Sequence, residues 1–321
     1  MKTIIKLYNK LKKLASLPII INQEMDAIKI NQGIQLVNNA VGRNGYKILS
    51  DLEFKVFSQF GDDGIIQYLI RNIDCTNDTF VEFGVGDYFE SNTRFLLQKD
   101  NWSGFVMDGS KSNIERIKKS YFYWRHDLVA KDIFITKENI NGLINDYCKN
   151  GVSLIHIDLD GNDYWIWKEI ESRPDILILE YNSTFGYKRS ITVPYDSEFQ
   201  RSKAHYSNLY WGASLKALYN LCSFRGYSFL GCNSAGNNAY FVLSEKLNGH
   251  IKEVSLIDGF VKSKYRESRD KAGNLNYDNY NDRTKAIIKM PVYNTELNKM
   301  EEFGYLKKHG YKSETSYTKL E

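Results

Sequence analysis

The sequence predicts an α/β protein built around a mostly parallel sheet, and three observations lead to this prediction. Short apolar segments alternate with helical patterns from about residue 54 to residue 180, an order typical of parallel strands connected by helices. Glycine, aspartate or asparagine closely follows most of these apolar segments, where turns are expected to begin. Further along, residues 227–230 and 239–243 are apolar and are separated by residues 231–238 alone, which predicts an antiparallel hairpin at the sheet edge.

The other strands are predicted from short apolar runs, whose length is typical of strands. In chain order these runs cover residues 80–83, 104–107, 152–157 and 176–179, and residues 132–135 indicate a short strand or the exit from one. The helices are predicted from apolar residues that recur three and four positions apart. They cover residues 92–99, 112–119, 140–147 and 210–222, with a further helical pattern at residues 57–70 that residues 61–64 interrupt.

Three regions differ in character along the chain. Residues 1–50 form a helical N-terminal segment of mixed polarity, residues 51–250 hold the alternating pattern, and residues 251–321 form a polar, tyrosine-rich extension or lid. Within the first region, residues 1–21 place lysines before a short apolar stretch. An amphipathic helix that docks on the body explains this pattern, and peripheral contact with a membrane surface is the alternative. The C-terminal extension could also serve the contact of a homodimer.

Composition narrows the class of protein. The 321 residues are 42% hydrophobic and 26% charged, as in ordinary globular proteins. No apolar run approaches the roughly 20 residues that cross a bilayer, so no transmembrane segment is expected. The net charge of +4 is too small to indicate a nucleic-acid partner without a concentrated basic face. The four cysteines lie far apart, which favours reduced thiols in a cytoplasmic protein over a disulfide framework.

The first candidate site follows the strand at residues 80–83. Glu82 lies near its end, and Gly84 and Gly86 come directly after it. Glycines at this position allow a tight turn and close approach of the backbone to a ligand, and the next helix can offer its N-terminal amides to an anion. A plain turn would account for the glycine pair equally well.

Asp108 closes the next strand and lies 24 residues beyond Gly84. An acid that binds ribose hydroxyls is expected about 20 residues after such a glycine turn. A cap for the helix that begins near Ser110 is the alternative for Asp108 alone. Taken together, the glycine turn and Asp108 favour a nucleoside ligand.

An acidic cluster follows the strand at residues 152–157. Asp158, Asp160 and Asp163 fall within six residues, and Glu180 and Asn182 end the next strand. Carboxylates brought this close need protons or a cation to offset their repulsion, and hard oxygen ligands suit Mg²⁺, Mn²⁺ or Ca²⁺. A turn with helix caps explains the same residues without a metal.

Several motifs together resemble S-adenosylmethionine (SAM)-dependent class I methyltransferases, and more narrowly the FkbM-like enzymes found with bacterial capsule and lipopolysaccharide genes. The resemblance covers roughly residues 54–245. The matching segments lie at residues 58–64, 80–87, 92–93, 102–104, 108–109, 156–165 and 180–182. The pattern departs after Gly86, where Asp87 and Tyr88 replace the usual third glycine.

The resemblance implies a sheet of strand order 3-2-1-4-5-7-6 and a role for each motif. Glu82 and the Gly84–Gly86 loop would face the methionine part of SAM, and Asp108 would bind the ribose. Asn92 and Gly109 lie in the matched motifs and are further candidates for cofactor binding. Asp132 and Ile133 would contact the adenine. For Asp132 a surface turn remains an equal alternative.

For catalysis, the resemblance extends to metal-using relatives such as catechol O-methyltransferase. Asp158, Asp160, Glu180 and Asn182 would then hold Mg²⁺ or Mn²⁺, which lowers the pKa of an acceptor hydroxyl. Without metal, Asp158, Asp160 or His205 would act as the base. The family context implies O-methylation of a sugar or sugar-linked group of a capsular polysaccharide or lipopolysaccharide precursor.

Other functions remain open at this stage. In a metal-dependent glycosyltransferase, Asp158 and Asp160 would be the acid pair that holds a metal-bound sugar nucleotide, which leaves the glycine turn and Asp108 without a role. An NAD-dependent oxidoreductase would account for the glycine turn and Asp108 but not for the acidic cluster. A non-catalytic nucleoside-binding protein is the third alternative.

Overall fold

A computed structural model of the chain describes residues 2–41, 46–264 and 267–304. In the first helix, side chains are described for residues 17–39. The strands are β1 (Thr79–Phe83), β2 (Ser103–Asp108), β3 (Leu128–Asp132), β4 (Leu154–Ile157), β5 (Ile176–Glu180), β6 (Ile191–Thr192), β7 (Tyr227–Cys232), β8 (Asn238–Leu243), β9 (Pro291–Asn294) and β10 (Lys299–Glu302). The helices are α1 (Lys2–Val41), α2 (Asp62–Asn72), α3 (Arg94–Asp100), α4 (Lys111–Lys119), α5 (Ile140–Tyr147), α6 (Asp163–Glu169), α7 (Arg201–Ala204), α8 (Leu215–Phe224), α9 (Leu256–Gly259) and α10 (Tyr280–Ala286).

Seven strands form the main sheet in the order β3-β2-β1-β4-β5-β8-β7. The first five run parallel, β8 runs antiparallel to β5, and β7 pairs antiparallel with β8 at the edge. Setting aside the two-residue β6, which belongs to a separate small sheet, this is the strand order 3-2-1-4-5-7-6. The predicted Rossmann-like sheet of the class I methyltransferase fold, with its antiparallel final hairpin, is therefore confirmed.

The central strands show why the sequence folds in this way. Every residue of β4 and β5 is buried, as expected for parallel strands that helices cover on both faces. Because parallel strands end at the same edge, the polar residues after β1, β2, β4 and β5 are brought together there.

Some predicted elements differ from the observed ones. The helical pattern at residues 57–70 was expected to break at residues 61–64, but α2 begins at Asp62 and runs through this stretch. The third strand occupies Leu128–Asp132, so residues 132–135 are the exit from it, one of the two predicted alternatives. The strand itself was not predicted, because this half-buried edge strand has an apolar run of only three residues, 128–130. The helix predicted for residues 210–222 begins only at Leu215, because the Ser214 side chain accepts a hydrogen bond from the backbone of Ala217 and caps the helix there.

The N-terminal helix α1 packs beside α2 and α3. Its Asp26 forms a buried ion pair with Arg94. Gly33 meets the side chains of Phe95 and Val56 so closely that a Cβ atom would lie 2.6 Å from each. Among the described residues, no helix combines the length and apolarity needed to cross a membrane.

Beyond residue 250 the described chain packs against the body. The hairpin β9–β10 joins β6 in a three-stranded sheet of order β10-β9-β6. Arg189 pairs with Glu301 at 2.7 Å, and Phe303 packs in an apolar cluster with Phe185 and Ile191. The last part of the predicted extension, residues 305–321, lies outside the described residues, as do the side chains of residues 1–16 in the predicted membrane contact.

Candidate active site

The turn after β1 is shaped by two glycines with left-handed backbone. Gly84 has φ +71°, and a Cβ atom there would lie 1.7 Å from the carbonyl oxygen of Asp158. Only glycine therefore fits between the ends of β1 and β4. Gly86 has φ +55° and open space around its Cβ position, and its N–H donates to Oδ2 of Asp108 at 2.9 Å. The turn thus joins the ends of three strands.

Glu82 is buried and its carboxylate is fully engaged within the protein. Oε2 accepts hydrogen bonds from the hydroxyls of Ser91 and Thr93, and Oε1 accepts from the backbone N–H of Asn92 at 3.1 Å. Nδ1 of His156 lies 3.0 Å from Oε1. Glu82 therefore orders the segment that leads into α3. Through these contacts it positions Asn92 at the site.

Asp108 caps the start of α4 and also lines a cavity. Its Oδ1 accepts from the backbone of Ser110 at 2.8 Å and from the side chain of Asn113 at 3.1 Å, so it does brace the start of α4. It also lines the main cavity, beside Gly109 and Ile133. The carboxylate is only half-buried, which leaves it accessible from that cavity.

Two adjoining cavities lie at the carboxyl edge of the sheet. The main cavity has a volume of about 430 Å³ and runs from Asp108 to Glu180. The second, of about 420 Å³, is bordered by Glu82, Asn92 and His156. Gln59, Phe60, Gly84, Asp158 and Asn237 line both. A ligand at this edge can therefore extend from one cavity into the other.

Three carboxylates converge in the main cavity. Ligand oxygens of Asp158, Asp160 and Glu180 all lie within 4.8 Å of one another. The surrounding protein and then the charge of Asp160 raise the pKa of Asp158 to about 6. Burial and then the charges of Asp158 and Asp160 raise the pKa of Glu180 well above its ordinary value. Among the described residues, none donates a hydrogen bond to the buried Oε2 of Glu180. The cluster therefore favours a shared proton or a bound cation.

Arg201 supplies positive charge to this cluster. Its Nη1 lies 2.7 Å from Oδ1 of Asp160, and its guanidinium stacks over the ring of Trp211. A second contact, 3.7 Å long, links it to Glu267 in the C-terminal region. Arg201 is thereby fixed at the wall of the cavity.

The neighbouring acid Asp163 has a structural role. Its two oxygens accept from the backbone N–H groups of Leu159 and Gly161 at 2.8 and 3.1 Å. Burial and then the charge of Asp158 raise its pKa to about 7. These bonds fix the turn that carries Asp160, whose φ is +52°.

Asn182, predicted as a metal ligand, lines the cavity but uses its amide elsewhere. Nδ2 donates to the carbonyls of Leu209 and Trp211 at 3.0 and 2.9 Å, and Oδ1 accepts from the backbone of Thr184. The carboxamide therefore holds the segment after β6 in place, and its oxygen is already engaged.

Two other predicted residues lie away from the lining of the main cavity. The side chain of His205 pairs with the hydroxyl of Ser207 at 2.7 Å, and burial lowers its pKa. Asp132 ends β3 as an exposed residue, whereas its neighbour Ile133 does line the cavity. The structure thus brings together Gly84, Asp108, Gly109, Ile133 and the carboxylate cluster, with Glu82, Gly86 and Asn92 around the adjoining cavity.

Sequence patterns gave no indication of three charged residues that line the main cavity. Arg201, Glu267 and Arg283 come from segments without a regular pattern, 20 or more residues beyond β5. Arg283 is buried and its Nε donates to the carbonyl of Asp278. The segment after β6 brings Arg201 to the site, and the C-terminal region brings Glu267 and Arg283.

No family model matches the chain, and the search of curated proteins found no match. Among solved structures, it is similar to the N-terminal domain of EvdMO1 with SAH bound, at 11% identity over 58% of this chain and 80% of that chain, with a TM-score of 0.37. It is also similar to an O-methyltransferase from Bacillus cereus in complex with SAH, at 13% identity over 66% and 88% of the two chains, with a TM-score of 0.39. A third is an S-adenosylmethionine-dependent methyltransferase from Clostridium acetobutylicum ATCC 824, at 14% identity over 57% and 90%, with a TM-score of 0.35.

Proposed function

We propose that the protein is a SAM-dependent methyltransferase that O-methylates a sugar or sugar-linked group of a capsular polysaccharide or lipopolysaccharide precursor. One observation carries the proposal. Asp108, suited to a ribose, and the carboxylates of Asp158, Asp160 and Glu180 line the same cavity at the carboxyl edge of the sheet. A nucleoside bound at Asp108 would therefore lie beside groups able to take a proton from an acceptor hydroxyl.

The residues around the first βα turn favour binding of a nucleoside cofactor. Gly84 lines both cavities and Gly86 lines the second, so backbone without a side chain borders the ligand space at this turn. Ile133 and Phe134 offer apolar surface next to Asp108, which suits a base ring. When bound, SAM supplies an activated methyl group on a sulfonium, so that catalysis depends mainly on alignment of the reacting atoms.

The carboxylate cluster provides the chemistry on the acceptor side. Asp158, with its pKa raised to about 6, accepts a proton more readily than an ordinary aspartate does. Arg201 offsets part of the negative charge through Asp160. Trp211, held under Arg201, adds an aromatic side chain to the cavity wall, beside which a sugar ring can pack.

The same cluster fits a divalent cation. Its ligand atoms are hard carboxylate oxygens, and within the described part of the chain Oε2 of Glu180 lacks the hydrogen bond that a buried oxygen normally has. Asp158, Asp160 and Glu180 would hold Mg²⁺ or Mn²⁺, which would supply Lewis-acid activation of the acceptor hydroxyl. Asn182 is left out of this set because its amide is committed to backbone groups.

Calorimetry on the purified protein tests the proposal. We expect S-adenosylhomocysteine (SAH) to bind with micromolar affinity, and UDP-sugars and NAD to bind much more weakly. Asp108→Asn should weaken SAH binding about tenfold or more, by loss of a charged hydrogen-bond acceptor. Asp127→Asn is the matched control, since Asp127 precedes β3 at the opposite edge of the sheet. Preference for a UDP-sugar with Mn²⁺ would instead support the glycosyltransferase. Binding of SAH without methylation of any acceptor would support a nucleoside-binding protein.

A further inference from the structure

Helix α1 docks on the protein through one face. Asp26, Gly33 and Val37 are buried, and their spacings of seven and four residues place them on one side of a helix. Asp26 pairs with Arg94 and accepts a hydrogen bond from the hydroxyl of Tyr121. These contacts fix the rotation of the helix relative to the body.

A stripe of large apolar residues occupies the other side of the same helix. Leu17, Ile21, Met25 and Ile28 are 40%, 56%, 48% and 50% exposed, and their spacings of four, four and three residues place them on one face. Ile19 and Ile20, 59% and 47% exposed, lie off this face, so apolar surface surrounds the helix at residues 19–21. At 3.6 residues per turn, this face points roughly away from the docked one. Exposed apolar residues are ordinary when scattered, but an aligned stripe on a helix indicates an interaction surface.

The charge of the chain indicates what this stripe contacts. Residues 2–16, which precede it in the same helix, include five lysines and no acidic residue. Helices with an apolar face and many lysines bind at the surface of bilayers with anionic lipids. A second copy of the helix would bring the same lysines. Within residues 17–39 the acids are Glu24 and Asp26, and Asp26 is already paired with Arg94.

We propose that α1 is a membrane-surface helix that lies on anionic lipid through Leu17, Ile21, Met25 and Ile28. The apolar stripe enters the boundary of headgroups and acyl chains, and the preceding lysines attract the anionic surface. The opposite face keeps the enzyme body attached through Asp26, Gly33 and Val37. This surface is independent of the proposed methyl transfer.

Vesicle sedimentation with the full chain tests this surface. We expect the protein to sediment with vesicles of phosphatidylcholine mixed with phosphatidylglycerol, to remain in solution with phosphatidylcholine alone, and to be released by salt. Ile21→Ser/Met25→Ser/Ile28→Ser should weaken binding by about tenfold or more, because the apolar contact is lost. Lys10→Gln/Lys12→Gln/Lys13→Gln should also weaken it.

A matched control removes apolar surface elsewhere. Phe224 and Ile257 are 89% and 69% exposed on the body, and Phe224→Ser/Ile257→Ser should bind vesicles as the unmodified protein does. Circular dichroism and thermal melts establish that each variant is folded, separately from lipid binding. The proposal is overturned if the unmodified protein ignores the anionic vesicles or binds both vesicle types equally. It is also overturned if light scattering shows a dimer in lipid-free solution that the triple apolar variant dissociates, since a second copy would then cover the stripe.

Discussion

Glu82 and His156 form a buried pair that joins two central strands. Nδ1 of His156 lies 3.0 Å from Oε1 of Glu82, and the two residues are direct partners in the register of β1 and β4. Burial alone would lower the pKa of His156, but the hydrogen bond and charge of Glu82 outweigh it, so this pKa is raised. For Glu82, burial would raise the pKa, and the hydrogen bond and charge of His156 outweigh that, so its pKa is lowered.

The first prediction concerns the titration of His156. Its pKa should lie above the ordinary value of 6.5 in the unmodified protein. In Glu82→Gln the charge is gone while burial remains, so the pKa should fall below 6.5. Nuclear magnetic resonance of the imidazole carbons measures both values. His126, whose pKa burial lowers, lies apart from the pair and serves as the internal control. An unchanged His156 titration in the variant would contradict the assignment.

The same pair predicts how stability depends on pH. The contribution of Glu82, with a lowered pKa, is present above its ordinary value of 4.5 and is lost as the pH falls through the folded-state pKa. That of His156, with a raised pKa, is present below 6.5 and is lost as the pH rises through its folded-state pKa. Thermal melts should therefore show the largest loss for Glu82→Gln at about pH 5–6 and a smaller loss at alkaline pH. An equal loss at every pH would exclude the ion pair.

Two glycine substitutions should differ sharply in stability. Gly86→Ala should cost about 1–2 kcal/mol of unfolding free energy, because its φ is left-handed but its Cβ position is open. Gly84→Ala adds a clash with the carbonyl oxygen of Asp158 to a similar backbone strain and should be far more destabilising, with failure to fold as the extreme. Urea denaturation compares the two. Equal costs would show that the contact between β1 and β4 can relax.

The central sheet could be predicted from sequence because its signals are local. Buried parallel strands such as β4 and β5 are continuous apolar runs, and the turn residues after them mark their ends. The body of the edge strand β3 was not predicted and the start of α8 was placed wrongly, because their signals are weaker. The apolar run of β3 is only three residues long, and Ser214 sets the start of α8 through a single cap.

The candidate site was only partly accessible to sequence reasoning. Asp158, Asp160 and Glu180 could be found because strand ends in a parallel sheet share one edge. The hydrogen bonds of the Asn182 and Glu82 side chains to backbone groups could not be predicted, because their partners depend on how irregular segments fold back. Arg201 and Glu267 are brought to the cavity by the same irregular segments, which carry no periodic pattern.

The carboxylate cluster should bind a divalent cation. We expect titration with Mn²⁺, followed by electron paramagnetic resonance of the free ion, to show one site in the unmodified protein. Glu180→Gln should weaken it by about tenfold or more, because a buried anionic ligand becomes neutral while its shape is kept. Glu169→Gln, an exposed acid on α6, is the matched control. Absence of Mn²⁺ binding, together with full activity in chelator, would leave proton sharing as the explanation for the cluster.

The final prediction concerns the joint between α2 and the last hairpin of the sheet. The buried carboxylate of Asp62 accepts hydrogen bonds from the amides of Asn233 and Asn238 and from the hydroxyl of Tyr240. Asp62→Asn would replace a carboxylate, which only accepts hydrogen bonds, with a carboxamide that has a weaker accepting oxygen and an NH2 group that donates. The substitution should cost about 2–4 kcal/mol of unfolding free energy.

Tyr240→Phe provides the comparison, since it removes one donor and keeps the ring. Its cost should be about 1–2 kcal/mol, as two of the three side-chain donors to Asp62 remain. Urea unfolding followed by tryptophan fluorescence measures both variants, and the double variant should lose less than the sum because the two residues share one bond. Additive losses would show that Asp62 and Tyr240 stabilise the hairpin separately. An Asp62→Asn protein as stable as the original would mean that the carboxylate does not hold β8 to α2.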